Sequence, residues 1–99
     1  GIDIAARVGD EVKVVHDGQV VYADWYKGYG RLVIVDHGEG LYSLYGHLSQ
    51  LGVGGGDRVS RGQVVGLAGD TGSLKGSKLY FEIRRNGEAE DPLLWLAKR

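Results

Sequence analysis

The residues able to do chemistry in this chain are few, and their spacing excludes most of what they could do. There are three histidines, His16, His37 and His47, and no cysteine. No two histidines stand in His-x-His spacing, the simplest two-ligand unit on one face of a strand, or in the His-Glu-x-x-His spacing of a helical zinc site. Cysteine-rich zinc modules and disulfide frameworks are excluded outright. Asp70-Thr71-Gly72 resembles the catalytic triplet of a half-size aspartic protease. It does not end a hydrophobic strand, however, and only 27 residues follow it. It reads as a surface loop. The stretch 72–77 (GSLKGS) lacks the ending of a phosphate loop, and no Gly-x-Ser-x-Gly elbow is present. His16 and His37 each border a Gly turn and read as polar surface. His47 ends an aromatic strand, and alternation puts it on one face with Ser43 and Tyr45.

The elements that must carry these residues are strands. Gly is 18 of 99 residues and Pro only 1, which suits many tight turns. Short β-branched runs recur: 11–15, 19–25, 31–37, 41–47, 63–68 and 78–85. Asp17-Gly18 predicts a hairpin joining the first two. Lys27-Gly28-Tyr29-Gly30, Gly38-Glu39-Gly40 and Asn86-Gly87 predict further turns. A short helical turn is expected at 91–96, with Asp91 as cap and Pro92 beginning it. The fold class is therefore all-β, an antiparallel two-sheet sandwich or half-open barrel. In the last long strand, Leu79, Phe81 and Ile83 face the core. Lys78, Tyr80 and Glu82 face outward, so exchanges at 78 and 80 should leave the core alone. If the strands neighbour each other, Tyr45 and His47 join that outward face. An aromatic, polar surface of this composition suits a protein interface.

Charge and size bound the partners. Twelve Lys+Arg against thirteen Asp+Glu give a net charge of −1, which excludes the broad basic footprint of a nucleic-acid binder. No apolar run reaches the ~20 residues that span a bilayer, so no membrane insertion by this domain is expected. Residues 1–99 make a single domain. With no Met and a strand-like opening at 1–6, it reads as a piece of a longer protein.

Taken in order, these segments resemble a known family. Gly1 to Ala6, Gly18 to Val21, Tyr29 to Gly38, Leu44-Tyr45-Gly46-His47-Leu48-Ser49, Val59 to Gly66 and Leu79-Tyr80-Phe81-Glu82-Ile83 are similar to the LytM (lysostaphin-like) zinc metallopeptidase domain over nearly the whole chain. The resemblance implies a fold with a central groove. It makes Asp3 the counterpart of a zinc-ligating Asp and His47 that of a catalytic His. The family's last strand, His-Leu-His-Phe-Glu, supplies a catalytic His and a further zinc ligand. Here it reads Lys78-Leu79-Tyr80-Phe81-Glu82, and both His are replaced. A neutral phenol of pKa ~10 is a poor zinc donor, and an ammonium repels a divalent metal. No metal, no cofactor and no hydrolysis are therefore expected.

The run 78–85 (KLYFEIRR) and the segment Asp24 to Gly30 further resemble the EnvC-like murein hydrolase activators. That resemblance implies a pseudoenzyme acting outside the cytoplasm, in the periplasm, during cell-wall splitting at division. Its partner would be an N-acetylmuramoyl-L-alanine amidase, held in the former active-site groove so that its autoinhibition is relieved. Tyr45, His47, Lys78, Tyr80 and Glu82 would line that groove, with Asp3 at one end. Peptidoglycan is a further candidate ligand. The competing functions are a zinc endopeptidase of peptidoglycan cross-links, a passive peptidoglycan-binding module, and a biotin or lipoyl carrier. The carrier fits worst, because Lys75 does not sit in the tight hairpin such a domain needs.

Overall fold

The computed structural model describes residues 1–91. They form nine strands and no helix: β1 (Ile2–Ala5), β2 (Glu11–Lys13), β3 (Gly18–Tyr26), β4 (Gly30–Gly38), β5 (Leu41–Leu51), β6 (Arg58–Val59), β7 (Val64–Ala68), β8 (Lys78–Arg85) and β9 (Glu88–Glu90). All pairings are antiparallel. The main path runs β1-β8-β5-β4-β3-β6, and β9 adds to β8. β5 also pairs with β7, and β7 with β2, so the sheet branches and does not close into a barrel. The helical turn expected from Pro92 onward lies outside the described residues.

Strand β5 makes this branching possible. Its first half, Leu41 to Gly46, lies between β4 and β8. Its last residues, Leu48 to Leu51, pair with β7. The core sits between the main sheet and the β2–β7 layer. Val12 and Val65 from the small layer meet Val33, Val35, Tyr45, Phe81 and Ile83 from the large one. Burying such side chains contributes roughly 1.5–3 kcal/mol each.

The hairpin expected at Asp17-Gly18 does not form. β2 pairs with β7, while β3 pairs with β4 and β6. Val12 and Val14 are buried, in the core cluster they share with Val65 of β7 and the inner face of the main sheet. Asp17-Gly18 is therefore a crossover between layers. It is fixed by Arg61 N–H donating to Asp17 Oδ1 at 2.7 Å and by His37 Nδ1 donating to the Asp17 carbonyl at 2.8 Å. The other three Gly turns connect β3 to β4, β4 to β5 and β8 to β9 as expected.

His37 is also more than surface. Its Nε2 lies 2.7 Å from Ser43 Oγ, and Ser43 Oγ lies 2.7 Å from Tyr45 OH. Val15 N–H donates to that phenol oxygen at 3.2 Å. Since the Asp17 carbonyl can only accept, Nδ1 of a neutral His37 carries the proton, and Ser43 donates to Nε2. Burial, the largest influence, pushes the His37 pKa below its ordinary value, against a hydrogen bond to Asp17 that raises it.

Candidate functional site

Position 46–47 decides the face on which the site is built. Arg31 pairs with Leu48 and Val33 with Tyr45, so Gly46 and His47 together oppose the single residue Leu32. This is a β-bulge, and His47 supplies its left-handed residue at φ 61°. Alternation is broken there. Tyr45 pairs with Phe81 and stacks on it at 5.6 Å, whereas Gly46 pairs with Tyr80. The expectation that Tyr45 lines the groove is therefore wrong. At 1% exposure it is a core side chain. His47 turns the other way and meets the Tyr80 ring at 6.3 Å.

One face of β1, β5 and β8 thus brings together Asp3, His47, Lys78 and Tyr80. Asp3 pairs across the strands with Tyr80, and Ala5 with Lys78. The Lys78 ammonium donates to Asp3 Oδ2 at 3.2 Å. Tyr80 donates to Glu82 Oε1 at 2.5 Å, and Arg84 Nε donates to Glu82 Oε2. Glu82 is on the expected strand face but is only 1% exposed. It is no docking contact. Its two oxygens are spent on holding Tyr80 and Arg84, and that pairing is what permits its burial. Burial and the Glu82 bond push the Tyr80 phenol pKa up, so it keeps its proton. The same carboxylate raises the Arg84 pKa, chiefly by hydrogen bonding.

His47 is held by two hydrogen bonds. Its N–H donates to the Tyr29 carbonyl at 2.6 Å, and its Nδ1 donates to the Thr71 carbonyl at 2.7 Å. Thr71 Oγ1 in turn donates to Leu48 O at 2.6 Å and accepts from Arg31 N–H at 3.1 Å. The Tyr29–Gly30 turn and the 69–77 loop close on each other here. A Cβ on Gly30, whose φ is +69°, would collide with Thr71 O. Thr71 and Tyr29 were the positioning residues that sequence reasoning missed. Their contribution is mostly backbone carbonyls, which leave no residue-type signal. Only Gly30 and Gly72, both at positive φ, mark the contact in the sequence.

Aromatic rings extend the site. Tyr29 lies 5.4 Å from Tyr80, Tyr26 lies 5.7 Å from Tyr29, and Tyr22 lies 5.9 Å from Tyr26. The row leads from the floor of the groove to the β3–β4 turn, where Trp25 and Tyr26 are half exposed. A separate cleft lies elsewhere. It measures about 490 Å³ and lies over Ile4, Val12, Val15, Tyr45, Leu79 and Phe81 on the core side.

Residues 1–92 match Peptidase family M23. The chain belongs to that family. Among M23 relatives, it is 46% identical over 98 residues to the murein hydrolase activator EnvC of Escherichia coli, covering 99% of this chain and 23% of that protein. It is also 46% identical over 100 residues to the lipoprotein NlpD/LppB homolog of Pseudomonas aeruginosa, covering all of this chain and 33% of the relative. The chain thus spans a quarter to a third of the length of these two relatives. The catalytic domain of the antimicrobial peptidase lysostaphin from Staphylococcus simulans superposes with a TM-score of 0.90 at 32% identity, covering 98% of this chain and 77% of that one. An M23 domain of this backbone is therefore similar both to named activators and to a named peptidase. Side chains must distinguish them.

The donor set at this place does not fit zinc. Asp3 is neutralised by an ammonium, Tyr80 is a protonated phenol spent on Glu82, and His47 Nδ1 is spent on Thr71. Zinc needs three donors with free lone pairs converging at 2.0–2.3 Å. Among the described residues no three His, Cys, Asp or Glu side chains converge anywhere.

Proposed function

We propose that this domain is a non-catalytic activator. It binds an N-acetylmuramoyl-L-alanine amidase in the groove and relieves that enzyme's autoinhibition, so that peptidoglycan is split at division. The observation that carries this reading is Lys78 on Asp3. The resemblance gives Asp3 to a metal. Here the positive charge beside it is the chain's own and cannot polarise a bound water. Tyr80, in place of a ligand, becomes a half-buried ring suited to anchor a partner. The names of the relatives support the same reading: EnvC is a murein hydrolase activator. On this reading the domain works outside the cytoplasm, in the periplasm, and is one part of a longer protein.

A zinc endopeptidase is the second reading, favoured by the lysostaphin backbone match. One experiment tests both. Purified chain is titrated into purified amidases, and soluble fragments are measured from labelled peptidoglycan. Release that needs both proteins supports the activator. Release by the chain alone, with about one zinc bound per chain, overturns it.

A further inference from the structure

The orientation of His47 specifies what its partner must bring. A backbone carbonyl can only accept, so the 2.7 Å contact with Thr71 O requires a proton on Nδ1. In the neutral ring the other nitrogen, Nε2, is then an acceptor. It makes no hydrogen bond to any described residue, although His47 is only 6% exposed. No fully buried side-chain nitrogen or oxygen lacks a partner among the described residues. Nε2 therefore keeps some exposure, on a ring that packs against Tyr80. Its charged neighbours are paired with the chain's own groups: Lys78 with Asp3, and Glu82 with Tyr80 and Arg84. Among the described residues, His47 Nε2 is a polar atom of this face that is left open on a side chain held rigid.

We infer that His47 Nε2 is the polar anchor of the groove, accepting one hydrogen bond from an N–H or O–H donor on a bound protein segment. This rests on the activator reading and names the chemistry of its contact. The bulge gives the device its stiffness. The left-handed φ and the Tyr29 carbonyl hold the His47 backbone, and the Thr71 carbonyl holds the ring, so little side-chain freedom is lost on binding.

The test uses the whole chain labelled with ¹⁵N at histidine. In the free protein, the His47 signals should show a proton on Nδ1 and none on Nε2. The opposite tautomer overturns the inference. Next, an amidase that the chain activates in the peptidoglycan assay is added. The Nε2 signal should then shift as it accepts a hydrogen bond. His47→Phe, of similar size, should weaken binding tenfold or more, and His47→Gln, whose amide oxygen reaches the same place, should recover part of the loss. If His47→Phe melts like wild type and binds equally well, the inference fails while the activator reading stands. If Nε2 responds to soluble muropeptide and not to amidase, the partner class is wrong. If no amidase binds the wild-type chain, the activator reading falls and this inference falls with it.

Discussion

Removing one oxygen atom, in Tyr80→Phe, should destabilise the domain although it leaves the groove's shape unchanged. The Tyr80 hydroxyl donates to Glu82 at 2.5 Å, and Glu82 is 1% exposed. Water cannot readily replace the lost donor at so deep a carboxylate. Hydrogen bonds to charged groups contribute about 1.5–3 kcal/mol. Taking about 2 kcal/mol, and ~4–8 °C per kcal/mol for a domain of this size, Tm should fall by ~8–16 °C. Thermal unfolding by circular dichroism reads this directly. The variant Glu82→Gln separates the bond from general packing, because it removes the buried charge that needs the phenol. The double variant should lose less than the sum of the two single losses, by about 1 kcal/mol or more. The phenol's raised pKa gives an independent check. A proton held by the folded state and released by the unfolded chain adds stability below pH ~10 that is lost as pH rises beyond it. Tyr80→Phe should therefore flatten the alkaline loss of stability. If Tyr80→Phe melts within 1 °C of wild type, at an expected error of about that size, Glu82 does not depend on the phenol and the account given above of its burial is wrong.

Other consequences are as specific. His37, whose pKa is lowered by burial, binds its proton less readily when folded, so stability should be full above pH ~6.5 and decline as pH falls below it; urea titrations at several pH values should show that slope, and His37→Gln should lose most of it. After mild dialysis, elemental analysis should find far less than one zinc per chain, because no converging donors would hold it. Lys78→His breaks only a partly exposed ion pair and should cost less than about 1 kcal/mol, whereas Tyr80→His should cost more because it strips Glu82 of its donor; chemical denaturation of the two single variants distinguishes them. Gly30→Ala puts a Cβ against Thr71 O at positive φ and should cost about 3 kcal/mol or more, with His47 loosened as well, visible as broadened ring signals.

The sequence determined the class of structure and the identity of the exchanged residues. Period-2 patterning, Gly turns and the scarcity of Pro specify antiparallel strands, because each depends on local backbone preference. Lys78 and Tyr80 are visible in the last strand as residues that cannot ligate zinc, since ligation is a property of residue type. Tertiary structure decided which side chains share the groove. Alternation put Tyr45 with His47, but one extra residue opposite Leu32 sends Tyr45 into the core and His47 toward Tyr80. A bulge is a property of two paired strands, and no single strand encodes it. The same holds at Asp17-Gly18. Its local chemistry suits a hairpin, yet the burial of Val12 and Val14 beside β7 outweighs that preference and makes it a crossover. Glu82 reads from the sequence as an outward-facing groove residue because its partners, Tyr80 and Arg84, are found only once the strand is packed. The environment of His47 was least legible of all. It is built from the carbonyls of Tyr29 and Thr71, and every residue type carries a carbonyl, so only the folded chain could show that one meets the His47 backbone and the other its ring.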